Sequence, residues 1–139
     1  MPDVYAEDLN YWKTSARAAD TWIDMARKEI DRAGGAFQGE VFATDVTGRA
    51  AFMLSFALAG DVFRVTWPVL ESKTGNWKAA KVQAATLLYH DVKARCLAAR
   101  VLGARASFMA FLVLPDGRTA GQVASVELAH ALPKLLVSE

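Results

Sequence analysis

Cysteine, histidine and net charge are all scarce in this chain of 139 residues, and each scarcity excludes something. The one cysteine, Cys96, cannot close an internal disulfide, which is expected of a reducing, cytoplasmic setting. It lies in an alanine-rich helical run and reads as a small core residue. His90 and His130 stand far apart. With a single cysteine they form no metal-ligand spacing, so no metal is expected. His90 and Asp91 are adjacent and would project in different directions from a helix, so they make no dyad. The longest strongly apolar run, Phe108 to Leu114, is far below the ~20 residues of a membrane span. No membrane partner is expected. The opening residues, MPDVYAEDLNYW, show no basic segment followed by an apolar run, as expected of a chain without a secretory signal. Nucleophile-elbow, phosphate-loop and dinucleotide motifs are absent, so a non-enzymatic chain without a cofactor is the leading expectation.

What is present is apolar. The fraction of 53% apolar residues, with seven Phe and four Trp, fits one α+β domain with its own core. The net charge of +1 conceals an uneven distribution. Residues 77–105 carry six bases against the single acid Asp91, and the remainder of the chain is acidic. Such asymmetry points to an anionic partner, without the whole-domain basicity of a duplex binder.

Periodicity divides the chain. A first helical stretch is expected near Leu9. A clearer helix follows over about Ala18 to Ala33, with Trp22, Ile23, Ala26, Ile30 and Ala33 on one face and Gly34-Gly35 as its stop. Three strands come next: Phe37–Ala43, Ala51–Leu58 and Val62–Trp67. The second and third alternate well, and Ala59-Gly60-Asp61 reverses the chain between them. One face of this meander is apolar; the other is expected to carry Gln38, Glu40, Ser55, Arg64 and Thr66. Trp77 to Leu102 contains no Pro or Gly. It reads as a long helix capped by Asn76 and terminated by Gly103. Ala106–Leu114 is a continuous apolar run expected to form a further strand, Pro115-Asp116-Gly117 is a turn, and a short helix is expected around Ala124–Ala131. The fold class is therefore α+β: an N-terminal helix, a three-stranded antiparallel meander, a long helix packed on the sheet, a further strand and a short C-terminal helix.

Three sets of residues could carry chemistry. On the long helix, Lys78, Lys81, Lys93 and Arg100 fall within about 120° of one another and span several turns. They could track a phosphate backbone, although Val82, Tyr89 and Val92 share their arc. Ahead of that helix, Lys73, Thr74, Asn76, Trp77 and Lys78 bring amides, a hydroxyl, an aromatic ring and two cations together at a helix N-terminus. A base stacked on Trp77, with charge from Lys73 and Lys78, is the chemistry of single-strand binding. Arg64 adds a cation on the polar sheet face. Trp12, Trp22 and Trp67 read as core anchors.

The third set is Glu71-Ser72-Lys73. A meander followed by a helix and a strand, with an E-x-K in the loop after the third strand, resembles the core of the PD-(D/E)xK nucleases. That resemblance implies a divalent cation held by Glu71 and a second carboxylate, with Lys73 beside them. The hairpin register favours Asp45 over Asp61 as that second carboxylate. More broadly, a meander followed by a long helix resembles in topology the single-strand annealing and single-strand-binding proteins, which act as oligomers. The leading expectation is a non-enzymatic module for single-stranded nucleic acid using Arg64, Lys73, Trp77, Lys78, Lys81, Lys93 and Arg100. The alternatives are an oligomeric structural or protein-interaction domain and a metal-dependent nuclease using Asp45, Glu71 and Lys73.

Overall fold

The computed structural model of the chain describes residues 4–45 and 48–125. Helix α1 covers Ala19–Arg32 and buries Trp22, Ile23, Ala26 and Ile30, the face that the spacing marks out. Its end is tight. Gly35 donates its amide to the Ile30 carbonyl, and a Cβ at Gly35 would lie 2.7 Å from Ile30 Cγ2, so only glycine fits. The chain then enters an antiparallel sheet of order β1-β2-β3, formed by Ala36–Thr44, Ala50–Leu58 and Asp61–Pro68. Ala59 and Gly60 both take positive φ between β2 and β3, the conformation of a two-residue hairpin whose twist matches the strands.

Helix α2, Trp77–Leu102, matches the expected span at both ends. Asn76 caps it by accepting a hydrogen bond from the Ala79 amide at 3.1 Å. At 26 residues it is about 39 Å long. Its buried residues include Ala80, Ala84, Ala85, Leu88, Val92 and Cys96. The small side chains let it lie close against both α1 and the sheet. The core between the layers holds Ile23, Ile30, Leu54, Phe56, Phe63, Val65 and Leu88, all nearly or fully buried.

Three expectations are corrected. The run 106–114 is not a strand. Helix α3, Ala104–Phe108, and a 3-10 turn, Met109–Phe111, occupy most of it. Only isolated bridges follow, Phe63 to Leu112 and Val113 to Thr119, beside the outer edge of β3. The reason is local: Ser107 and Phe108 are both buried, which an alternating strand facing one core would not allow. Ser107 Oγ donates to the Arg95 carbonyl at 2.6 Å, and Arg95 Nη1 returns a bond to the Ser107 carbonyl at 3.0 Å. Phe108 completes an aromatic trio with Phe56 and Phe63, at 5.3 and 5.6 Å between ring centres. Arg105 clamps the β2–β3 hairpin through both oxygens of Asp61.

The second correction concerns the faces of β1. Phe37 pairs with Phe56, but Gly39 pairs with Ser55, so Gln38 is an extra residue in the ladder. This bulge inverts the phase of everything after it. Glu40 and Phe42 therefore lie on the side of Leu54 and Phe52, facing the helices, and Val41 and Ala43 lie on the open face. Glu40 is not on the open face with Ser55, Arg64 and Thr66.

The N-terminal stretch also differs from expectation. It forms a 3-10 turn at Ala6–Asp8 and then runs irregularly along α2. Gln83, 1% exposed, anchors it by donating to the carbonyls of Ala6 at 2.6 Å and Asn10 at 3.0 Å. Near the other end, residues 120–125 are helical; the remainder of the helix expected around Ala124–Ala131, and His130, lie outside the described residues. Among the described residues, no helix is long and apolar enough to cross a membrane. Replacing Gln83 with alanine strips the buried Ala6 carbonyl, and the partly buried Asn10 carbonyl, of their donor. Urea unfolding should show a loss of about 2 kcal/mol, with Trp12 fluorescence shifting toward that of an exposed indole. Unchanged stability would show that the N-terminal stretch is held by packing alone.

Candidate nucleic-acid interface

The structure distributes the expected site residues over separate places. Lys73 does not stand free. Its ammonium pairs with Asp8 at 2.9 Å, and its backbone amide donates to Glu7 at 2.9 Å. Ser72 Oγ donates to the same Glu7 carboxylate at 2.7 Å, and the Ala6 amide donates to the Glu71 carbonyl. The polar loop 71–74 is thus stitched to the N-terminal turn. Burial pushes the Glu7 carboxyl up, but the hydrogen bonds from Lys73, Ser72 and Thr74 outweigh it and leave Glu7 below its ordinary value. The bond from Lys73 likewise holds Asp8 low, and Asp8 raises Lys73.

For the nuclease arrangement, Asp45 accepts a bond from the Arg49 amide across the β1–β2 turn. Asp61 sits at the far end of β3 with Arg105. Among the described residues, no group of three or more His, Cys, Asp or Glu side chains is placed to hold a metal ion.

The basic arc of α2 is interrupted. Between Lys81 and Lys93 the same arc carries Ala85, Tyr89 and Val92, all buried. Tyr89 packs on Trp22 at 5.4 Å, and Tyr11 of the N-terminal stretch stacks on His90 at 4.8 Å. Lys93 and Arg100 consequently belong to a different feature, a recess of about 360 Å³ between α1 and α2 that also includes Arg32, Glu29, Cys96 and Leu97. Cys96 is buried as expected, and burial, with a smaller effect of Glu29, pushes its thiol up to about 11. It is protonated and unreactive at neutral pH. Arg64 lies on the open sheet face, where its guanidinium donates to the Gly117 carbonyl at 2.9 Å. There it borders a recess with Met53, Thr66 and Gln122.

What remains together is the start of α2. Trp77 is 52% exposed and Phe42 39% exposed, with 6.3 Å between ring centres. Lys81, one turn along from Trp77, holds its ammonium 4.3 Å from the Phe42 ring centre and 5.9 Å from that of Phe52. Lys78, on the neighbouring flank, shares a recess with Lys13, Ser15 and Asn76. Lys78 and Lys81 have no carboxylate partner among the described residues, unlike Arg95 and Arg105, which pair with Asp91 and Asp61. Phe42 is the member that sequence reasoning missed, since its face depends on the bulge at Gln38. Two exposed aromatic rings, the Lys81 ammonium and the positive end of a long helix therefore share one patch, with Lys78 on its flank.

No model of a protein family matches the chain, and neither the curated proteins nor the solved structures contain a match to it.

The acid–base pairing around Glu7 makes a prediction with a definite sign. Carboxyls held below their ordinary values contribute stability that is complete above about pH 5 and is lost as the pH falls through their lowered folded values. The melting temperature should fall between pH 7 and about pH 3.5, and Glu7→Gln should reduce that fall. An equal fall in the variant would assign the acid sensitivity elsewhere.

Proposed function

We propose that the chain is a non-enzymatic module that binds single-stranded nucleic acid at the start of α2. The observation that carries this reading is the exposed Trp77–Phe42 pair with Lys81 beside it. Exposed aromatic rings next to cations accept unstacked bases whatever their sequence, because every base has a π-face. A duplex conceals those faces, so the preference is for single strands. Lys78 and Lys81 supply contacts to phosphate, and the N-terminal end of α2 favours the same charge. The patch is small, and its two ammonium groups imply modest affinity with a shallow salt dependence.

In this reading Trp77 and Phe42 stack on bases, and Lys78 and Lys81 neutralise phosphates. Lys73 acts indirectly, fixing the loop ahead of Trp77 through Asp8 and Glu7. Lys93 and Arg100, in the α1–α2 recess, and Arg64, on the open face, are left outside the contact surface.

Fluorescence anisotropy of a labelled oligothymidylate tests the assignment. The wild-type protein should bind, and binding should weaken as salt rises. Trp77→Ala should weaken binding by roughly tenfold, the loss of one base–aromatic stack. Lys81→Glu should weaken it and flatten the salt dependence, while Lys93→Glu should leave it unchanged. Binding that survives Trp77→Ala but is lost in Lys93→Glu would move the interface to the α1–α2 recess. No binding at low salt would refute the reading.

A further inference from the structure

The sheet has two edges, and the fold treats them differently. The outer edge of β3 is covered by the segment after α3, where the Val113 amide donates to the Val62 carbonyl at 2.9 Å. Among the described residues, nothing pairs with the outer edge of β1. From Glu40 to Thr44 every residue is exposed, and Val41 reaches 56%.

The ladder shows which backbone groups that edge presents. The Asp45 amide donates to the Arg49 carbonyl, while the Val69 amide donates to the Ala50 carbonyl on the opposite side of β2. Hydrogen-bonded and non-bonded pairs alternate in an antiparallel sheet. Ala43 and Val41 therefore bond to β2, and Thr44, Phe42 and Glu40 direct their amides and carbonyls outward. Proteins usually blunt such an edge with proline, lysine or a bulge. Here the bulge lies at Gln38, before the exposed stretch, and Glu40–Thr44 contains neither proline nor lysine.

We infer that this edge pairs antiparallel with β1 of a second copy of the chain, about a two-fold axis at Phe42. That register employs every outward residue: Phe42 opposite Phe42 of the partner, and Glu40 opposite Thr44 of the partner. It forms roughly six backbone hydrogen bonds and joins two three-stranded sheets into one. Along the paired strands themselves no like charges stand opposite one another. Each Glu40 carboxylate faces a threonine hydroxyl and lies diagonal to the central Phe42 pair, over which each copy holds Lys81. This alternation of acid and ammonium along the seam suits a second copy of this chain better than an unrelated strand. The inference is independent of the nucleic-acid reading, but it brings the two Trp77–Lys81 patches to the same seam.

Light scattering coupled to size exclusion, on the full chain at about 50 µM, should give twice the chain mass of 15.1 kDa. Thr44→Pro removes an outward donor while leaving the β1–β2 bonds in place. It should raise the dissociation constant roughly tenfold or more with unchanged far-UV circular dichroism. Phe42→Lys sets two ammonium groups side by side at the axis and should also give monomer. A monomeric wild-type chain, a higher oligomer, or a dimer that both folded variants leave intact would overturn the inference. A dimer that binds no oligonucleotide would leave this inference standing and remove the proposed function. A monomer that binds one would do the reverse.

Discussion

The fold depends on enclosing the first half of α2. Its alanines at positions 80, 84 and 85 approach the layers around it, and Leu88 and Val92 fill the space between sheet and α1. Gln83 is the polar exception, fully buried yet satisfied because the N-terminal stretch brings its carbonyls to it. Enclosure has a consequence at the helix ends. Trp77 and Lys81 emerge where the packing begins, while Leu97, Val101 and Leu102 emerge where it stops. Long side chains on the covered stretch cannot act with those outside it. The division of the basic residues into separate patches follows from that packing.

A single extra residue decides the composition of the candidate interface. Had β1 kept strict alternation after Phe37, Phe42 would point away from the helices and Val41 toward them. The bulge at Gln38 reverses this and delivers an aromatic ring to the start of α2, beside Trp77 and beneath Lys81. The same inversion moves Glu40 off the open face. That face is consequently less polar than the residue types first imply: Val41, Ala43 and Met53 lie among Ser55, Arg64 and Thr66.

The sequence made the regular elements legible wherever one physical signal dominated. The span of α2 was readable because no residue in it breaks a helix and Asn76 and Gly103 punctuate its ends. β2 and β3 were readable because large apolar residues alternate without interruption. The run 106–114 was not, since a short apolar segment has the same composition whether it closes a sheet or plugs a core. Its fate depended on Ser107 meeting Arg95 across the turn at Gly103. The helical arc of Lys78, Lys81, Lys93 and Arg100 was correct as an angle and misleading as a surface. Angle ignores what the N-terminal stretch and α1 lay over it. Trp77 and Lys81 could be proposed as candidates from sequence; placing Phe42 beside them required the register.

The most direct test of the account is a residue-by-residue map of amide chemical shifts as unlabelled oligothymidylate is added to the isotopically labelled protein. The account predicts changes concentrated at residues 41–43 and 76–82, together with the indole resonance of Trp77, and little change at residues 90–100. Changes centred on Lys93 and Arg100, or none at saturating oligonucleotide, would contradict it.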